Sequence, residues 1–371
     1  MSSLKVEVVQ VDNILPHPNA DRLELAAVRG WICVVPKGQF ELGTTAVYFP
    51  IDSILPAQLE LALFPDGSKV KLHNHRIKTI RLRGAVSQGL LVSLSELGQT
   101  GLLRNRLYDL GEDLTPVLGV TKYEPPELKS SQPGCQQVNK KQINPNFHKY
   151  TDIENWKNYP ELFAPNESIW VLEKIHGSNF RAGYVKTNIN TLWKRLKNWL
   201  GLLPSYEFVY GSHNIQLQNK RSQLATNFYT RSIGKNIYWE MVEKYHLQTK
   251  LLPDRVVYGE VYGDKIQKGY LYDCQPGERK LAIFDVQLFG EYICHEDVID
   301  FCYKLNLPFV PVDCFGVFKP QDYVSAPSHL GAQVREGVVV KPEFEGICLI
   351  GRKILKLKSA EFLLTQEDDT H

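Results

Sequence analysis

The stretch Glu173-Lys174-Ile175-His176-Gly177-Ser178-Asn179-Phe180 governs how the rest of this sequence is read. It comes directly after the apolar run Ile169-Trp170-Val171-Leu172, which has the length and composition of a buried strand. His176-Gly177-Ser178-Asn179 then turns the backbone. A lysine at such a strand end, beside a glycine that permits close approach, can present its amine to a phosphate. Surface lysines at strand ends are common, so the stretch gains its weight from four segments further along the chain. Tyr258-Gly259-Glu260-Val261-Tyr262-Gly263 is a strand end carrying a carboxylate between glycines, and Ala282-Ile283-Phe284-Asp285-Val286 is a second apolar strand. Arg335-Glu336-Gly337-Val338-Val339-Val340-Lys341 puts another carboxylate at the head of a buried strand. In Lys356-Leu357-Lys358 the period-two alternation of a strand sends both cations to one face.

Outward from these segments, residues 148–371 alternate strand-like runs with helix-like segments at Asn190–Leu202, Ser232–His246 and Glu296–Leu305, an α+β pattern. Residues 1–114 read differently. VEVVQV, ICVVPKG, TAVYFPI, KVKL, TIRLRG and GLLVSL are short β-rich runs split by turn formers, as in a small closed barrel. Pro16-His17-Pro18-Asn19-Ala20-Asp21-Arg22-Leu23-Glu24-Leu25 resembles the PHPNADxLE segment of tRNA-binding OB domains. Arg81-Leu82-Arg83-Gly84-Ala85-Val86-Ser87-Gln88-Gly89-Leu90 resembles their later LRGxxSQG segment. Either stretch also reads as turn residues that the barrel itself needs. Between the two regions, 115–147 is rich in Pro, Gln, Asn, Ser and Lys, without periodicity, and is expected to be a linker or strap in which Lys129, Lys140 and Lys141 are solvated.

With 371 residues, 43 Lys+Arg, 41 Asp+Glu and 23% charged residues, the chain has an ordinary globular composition and room for two or three domains. A net charge of +2 leaves any phosphate-binding surface to be a local patch. Cys33, Cys135, Cys274, Cys294, Cys302, Cys314 and Cys348 show no C-x-x-C spacing, and the odd count is a poor disulfide framework, so reduced thiols are expected. The start lacks a signal-peptide core and no apolar run approaches a membrane span. A cytoplasmic monomer without a membrane partner is the expectation. P-loop, dinucleotide-fold, nucleophile-elbow and H-E-x-x-H signatures are all absent from the sequence. Around Trp193-Lys194-Arg195-Leu196-Lys197-Asn198-Trp199-Leu200 the apolar residues share one helical face. The expectation is an inserted helix packed on its own domain, with RNA or a membrane surface as the alternatives.

In their order, the five segments of the second region resemble motifs I, III, IIIa, IV and V of the covalent nucleotidyltransferases, the group of ATP-dependent ligases and capping enzymes. The K-x-H-G-[ST]-N-F form of the first is similar to the RNA ligase 2-like branch, which includes the editing ligases. An OB domain ahead of the catalytic domain is similar to the Deinococcus- and Naegleria-type RNA ligases. The resemblance implies an N-terminal OB-type barrel, a C-terminal nucleotidyltransferase domain, and joining of 3′-OH to 5′-phosphate ends through a lysyl-AMP. Its substrates would be ATP and RNA or a nicked RNA-containing duplex, with magnesium or manganese.

The same resemblance implies the roles. Lys174 would attack the ATP α-phosphorus, with Lys356 and Lys358 neutralising phosphate charge. A free lysine titrates near about 10.4, so cations or burial must favour its neutral form. Glu260 would contact the ribose, and Glu260 with Glu336 would orient the metal through waters. Phe284 would stack on adenine. His176, Gly177, Asn179, Arg181 and Lys341 would lie near the nucleotide or the incoming phosphate. Relatives often bind that 5′-phosphate with an arginine after motif I; here Tyr210-Gly211-Ser212-His213-Asn214 stands in that place, leaving His213 or Arg221. Thirteen residues follow Lys358, so no C-terminal OB domain is expected, and the N-terminal barrel becomes the candidate clamp. Its most basic stretch is His73, His75, Arg76, Lys78, Arg81 and Arg83. The rival readings are an inactive RNA-binding protein, a DNA ligase and a guanylyltransferase.

Overall fold

The computed structural model describes residues 4–65, 68, 71–104, 106–123, 144–217, 233, 236–317 and 319–365, which fall into two compact units. In the first unit, Glu7–Gln10 and Leu90–Ser93 flank Thr45–Phe49 in an antiparallel sheet. Asn13–Pro16, Leu23–Val28 and Trp31–Pro36 form a meander, and Thr79–Leu82 pairs with Ala85–Gln88. Alternation along each strand supplies two apolar clusters. Val8 and Val47 enter one, while their neighbours Val9 and Tyr48 enter the other. His17 Nε2 lies 3.1 Å from the Leu82 carbonyl oxygen, and Asn19 Nδ2 donates to the Arg83 carbonyl at 3.1 Å. The two stretches singled out in the barrel sequence are therefore stitched to each other.

This unit does not stop at Leu114. Thr115–Leu118 is helical, and Thr121–Lys122 pairs with Ser53–Ile54. Residues 124–143 of the expected linker, with Lys129, Lys140 and Lys141, lie outside the described residues. Glu154–Pro160 and the helix Ala360–Thr365 also group with the first unit. A division into consecutive segments could not show this, because the chain returns to the barrel unit twice.

The second unit is built on two antiparallel sheets. One runs, edge to edge, Gln216–Leu217, Tyr206–Gly211, Ser178–Lys186, Arg255–Gly263, Arg279–Leu288 and Glu291–Tyr292. The other contains Leu355–Lys358, Gly337–Pro342, Ile169–Lys174 and Val312–Gly316 in that order. The helices Ile237–Lys244 and His295–Lys304 close the core of the first sheet through Ile237, Met241, Val242, Val298 and Cys302. Among the described cysteines none is in a disulfide.

The helix expected around Asn190–Leu202 forms, but without the expected packing. Thr191 caps it by accepting from the Lys194 N–H at 3.2 Å. Gly201, with φ +67°, ends it, and the N–H groups of Gly201 and Leu202 return to the carbonyls of Asn198 and Lys197. The helix Leu192–Trp199 nevertheless buries no residue. It belongs to the connection between strands Ser178–Lys186 and Tyr206–Gly211, beyond the ends of the strands that carry the core. Amphipathic spacing specifies a face that wants covering and does not guarantee a neighbour to cover it.

Candidate active site

Three strand ends converge on one carboxylate. Strand Ile169–Lys174 pairs with Gly337–Pro342 so that Lys174 stands opposite Gly337, and Gly337 stands opposite Lys358 on the other side. Glu336, one residue earlier, receives both amines on the same oxygen. Its Oε1 lies 2.8 Å from Lys174 Nζ and 3.1 Å from Lys358 Nζ. His176 Nδ1 is 3.8 Å from the other oxygen. Burial alone would raise the Glu336 carboxyl, but Lys174, Lys358 and His176 pull it down to about 2. Gly337 has φ +152°, and a Cβ there would fall 2.0 Å from the Leu357 carbonyl oxygen, so only glycine allows the approach.

The six-stranded sheet brings Glu260. Asn179 and Glu260 are register partners across the strands that follow the turn. A Cβ on Gly177 would sit 2.3 Å from the Val261 carbonyl oxygen and 2.8 Å from Glu260 Cγ, so the turn cannot close over any larger residue. The turn is further held by Tyr272 Oη, which accepts the His176 N–H at 2.7 Å, and by Gln267 Nε2 donating to the Gly177 carbonyl at 2.8 Å. Burial pushes the Glu260 carboxyl up to about 8, with Lys174 partly offsetting and Glu336 reinforcing the shift. For Lys174, burial disfavours the ammonium form, yet Glu336 and Glu260 outweigh it and hold the amine above its ordinary value. The sequence expectation is a lysine whose neutral form is favoured by cations or burial; in the structure the nearest partner of Lys174 is an anion, and the amine rests in an ion pair with Glu336.

Beside these groups opens a cavity of about 130 Å³, whose polar lining includes Lys174, Asn179 and Glu260. Phe284, Tyr150, Leu172, Val310 and Val339 give it apolar walls. Phe284 is fixed by an edge contact to Tyr150, with ring centroids 4.7 Å apart. Beneath it Lys341 Nζ donates to the Phe284 carbonyl at 3.2 Å and pairs with Asp285 at 3.0 Å. Arg352 reaches the same Asp285 oxygen at 2.5 Å, and Tyr150 Oη donates to it at 2.8 Å. Lys341 thus lines the cavity with its amine held by Asp285 and the Phe284 carbonyl.

Lys356 takes its place on the Lys358 face of the same strand, opposite Val339. Arg181 does not reach the cavity. It is 2% exposed, and its guanidinium donates to the carbonyls of Ser212 at 2.9 Å and Phe147 at 2.8 Å. Burial lowers it to about 10. His213 is half-buried, and burial together with Lys149 keeps its imidazole below the ordinary value. Arg221 lies outside the described residues.

An OB-fold domain profile matches residues 5–94, and an RNA ligase profile matches residues 167–358, more than half of the chain. The chain belongs to the RNA ligase family. By structure it is similar to Naegleria gruberi RNA ligase with PPi, at a TM-score of 0.66 and 22% identity over 98% of both chains. It is equally similar to a lysine-to-alanine mutant of that ligase with ATP and Mn, at 0.68 and 22% over 96% of this chain and 98% of the other. A lysine-to-methionine mutant with AMP and Mn aligns at 0.68 and 22% over 96% and 97%. These likenesses establish a shared fold of barrel and ligase domain. No curated protein matches the chain by sequence.

For this RNA ligase, the sequence marked the lysine and carboxylate cluster but missed Tyr150, Leu172, Val310 and Arg352. Tyr150 and Arg352 are 202 residues apart and meet on Asp285. Only the apolar strand pattern pointed to Leu172, and nothing in the sequence singled out Arg352.

Proposed function

We propose that this chain is an ATP-dependent RNA ligase that seals 3′-OH to 5′-phosphate ends through a lysyl-AMP at Lys174. The observation that carries this reading is the ion-paired Lys174–Glu336–Lys358 cluster, whose Lys174 lines, with Glu260, a cavity walled by Phe284 and Val339. A purine fits that slot in character: flat, apolar on its faces and within reach of an aromatic ring. Glu260 would meet the ribose, and Lys174 would then face the α-phosphorus.

The residues fit a hard divalent cation. Glu336 Oε2 and Asn179 Oδ1 are buried and lack a hydrogen-bond partner among the described residues. No group of three metal-binding side chains exists among the described residues, which suits an ion that keeps waters and phosphate oxygens. Glu260 and Glu336 would hold magnesium or manganese, which when bound neutralises phosphate charge.

In the first step Lys174 Nζ gives up its proton, its lone pair forms the N–P bond, and pyrophosphate leaves with the broken α–β bridge. Lys356 and Lys358 offset charge on the phosphate oxygens. In the second step an oxygen of the RNA 5′-phosphate takes the AMP, and Lys174 regains its free amine. In the third step the 3′-oxygen loses its proton, attacks the 5′-phosphate and expels AMP. His213 and neighbouring Lys149 are the proposed receivers of the 5′-phosphate. We place the enzyme as a cytoplasmic monomer acting in RNA repair, with the barrel as its RNA clamp.

The test is sealing of a nicked duplex whose reacting ends are RNA, with DNA ends as the comparison. ATP- and metal-dependent joining of the RNA nick, with AMP released, is expected. Joining confined to DNA ends would replace this reading with a DNA ligase. RNA binding with no joining on any substrate would leave an RNA-binding protein.

A further inference from the structure

The helix Leu192–Trp199 plays no part in the ligase site, and its side chains are unusual for an uncovered surface. Leu192 is 81% exposed, Trp193 74% and Trp199 80%; Leu196, Leu200 and Leu202 are also exposed. Projected at 100° per residue, Trp199, Leu192, Leu196, Leu200 and Trp193 fill one apolar sector about 120° wide. Arg195 borders that sector on one side and Lys197 on the other, with Lys194 and Asn198 behind. From Thr187 to Tyr206 the chain contains no Asp or Glu. Both ends of the helix are capped, by Thr191 and by the Gly201 turn, so the face is presented as formed.

We propose that this helix is a peripheral docking element for an anionic lipid surface, lying in the membrane plane with its Leu/Trp face at the acyl boundary. An apolar sector bordered by cations and holding two tryptophans is the composition that such an interface selects. The charge is complementary to anionic headgroups, as on the cytoplasmic leaflet. RNA would use the cations and the indoles, but the leucines offer bases no stacking face. A second copy of the chain would bring the same cations together with no carboxylate on this segment to answer them. The sequence expectation of no membrane partner is replaced in this proposal by surface contact. The connection leaves strand Ser178–Lys186 at the end opposite Asn179, whose register partner is Glu260. Docking would leave the ligase site open to substrate.

The experiment is flotation of the full-length protein with vesicles of phosphatidylcholine alone and with equal parts phosphatidylglycerol. Tryptophan emission is followed in the same samples. The protein should float with the anionic vesicles, with a blue-shifted emission, and remain behind with the neutral ones. Raised salt should weaken the binding. Trp193→Ser with Trp199→Ser should cut vesicle partition about tenfold or more and remove the blue shift. Arg195→Gln with Lys197→Gln should lower binding to anionic vesicles while keeping the fold, and both pairs should keep lysine adenylation. Absence of flotation, or flotation unchanged in the double tryptophan variant, would overturn the proposal. So would a single-stranded RNA that shields these tryptophans without vesicle binding, or self-association that the tryptophan variant abolishes.

Discussion

Glu260, half-buried, and Glu336, buried, are carboxylates held in opposite states by their surroundings, one raised to about 8 and the other lowered to about 2. Glu336 has two lysines on one oxygen; Glu260 has burial and a like charge against it. Between the ordinary carboxylate range and pH 8 the folded chain keeps a proton on Glu260 that the unfolded chain has lost. Stability of the metal-free, nucleotide-free protein therefore falls as pH rises through that window. Glu260→Gln should remove the dependence. Thermal unfolding in chelator should show the variant more stable at pH 8 by roughly 1–3 kcal/mol and the difference shrinking toward pH 4.5. Asp285 shows the converse case. Burial works against its charge, but Lys341 and Arg352 keep the carboxyl below its ordinary value. Asp285→Ala would leave both cations buried without it and should cost about 3–5 kcal/mol, read by denaturant unfolding. The Lys174, Glu260 and Glu336 cluster was legible residue by residue, because a lysine and two carboxylates at the ends of apolar strands stand out. The sequence could not show that Arg181, two residues from Asn179, is tied to the carbonyls of Ser212 and Phe147.

At the level of elements, the strands were legible because alternation is imposed by the pleat. Lys356 and Lys358 share a face of their strand for that reason alone. The turn after Lys174 was legible through Gly177. Its substitution is the sharpest test of that close packing. Gly177→Ala would force a Cβ against the Val261 carbonyl and Glu260, shifting the two strand ends apart. Lysine adenylation should fall by about 100-fold, as misplacement of reacting groups by an ångström does, while circular dichroism at low temperature stays unchanged. The fate of Leu192–Trp199 was not legible. Caps and period fixed the helix, but whether anything covers it depends on where the connection leaves the sheet.

Across the whole molecule, the sequence showed two regions of different periodicity and the structure shows two units. Their boundaries differ from a linear division because Glu154–Pro160 and Ala360–Thr365 return to the barrel unit. Pairing partners so distant in sequence leave no local mark. The barrel's basic stretch is partly used internally. Arg76 donates to Asp52, His75 pairs with Glu60, and Arg81 donates to the Gly84 carbonyl at 3.0 Å. Arg83 keeps an exposed side chain. If the barrel clamps RNA, Arg83→Glu should lower nick sealing about threefold to tenfold, more at low salt, and leave lysine adenylation within about twofold.

In the proposed reaction Lys174 carries AMP. The direct measurement is incubation with α-labelled ATP and magnesium or manganese, then a denaturing gel and peptide mapping. An acid-labile, base-stable label on Lys174 that Lys174→Ala abolishes without loss of fold is expected. Folded protein that takes no label with either metal, or a label that survives in Lys174→Ala, would contradict it.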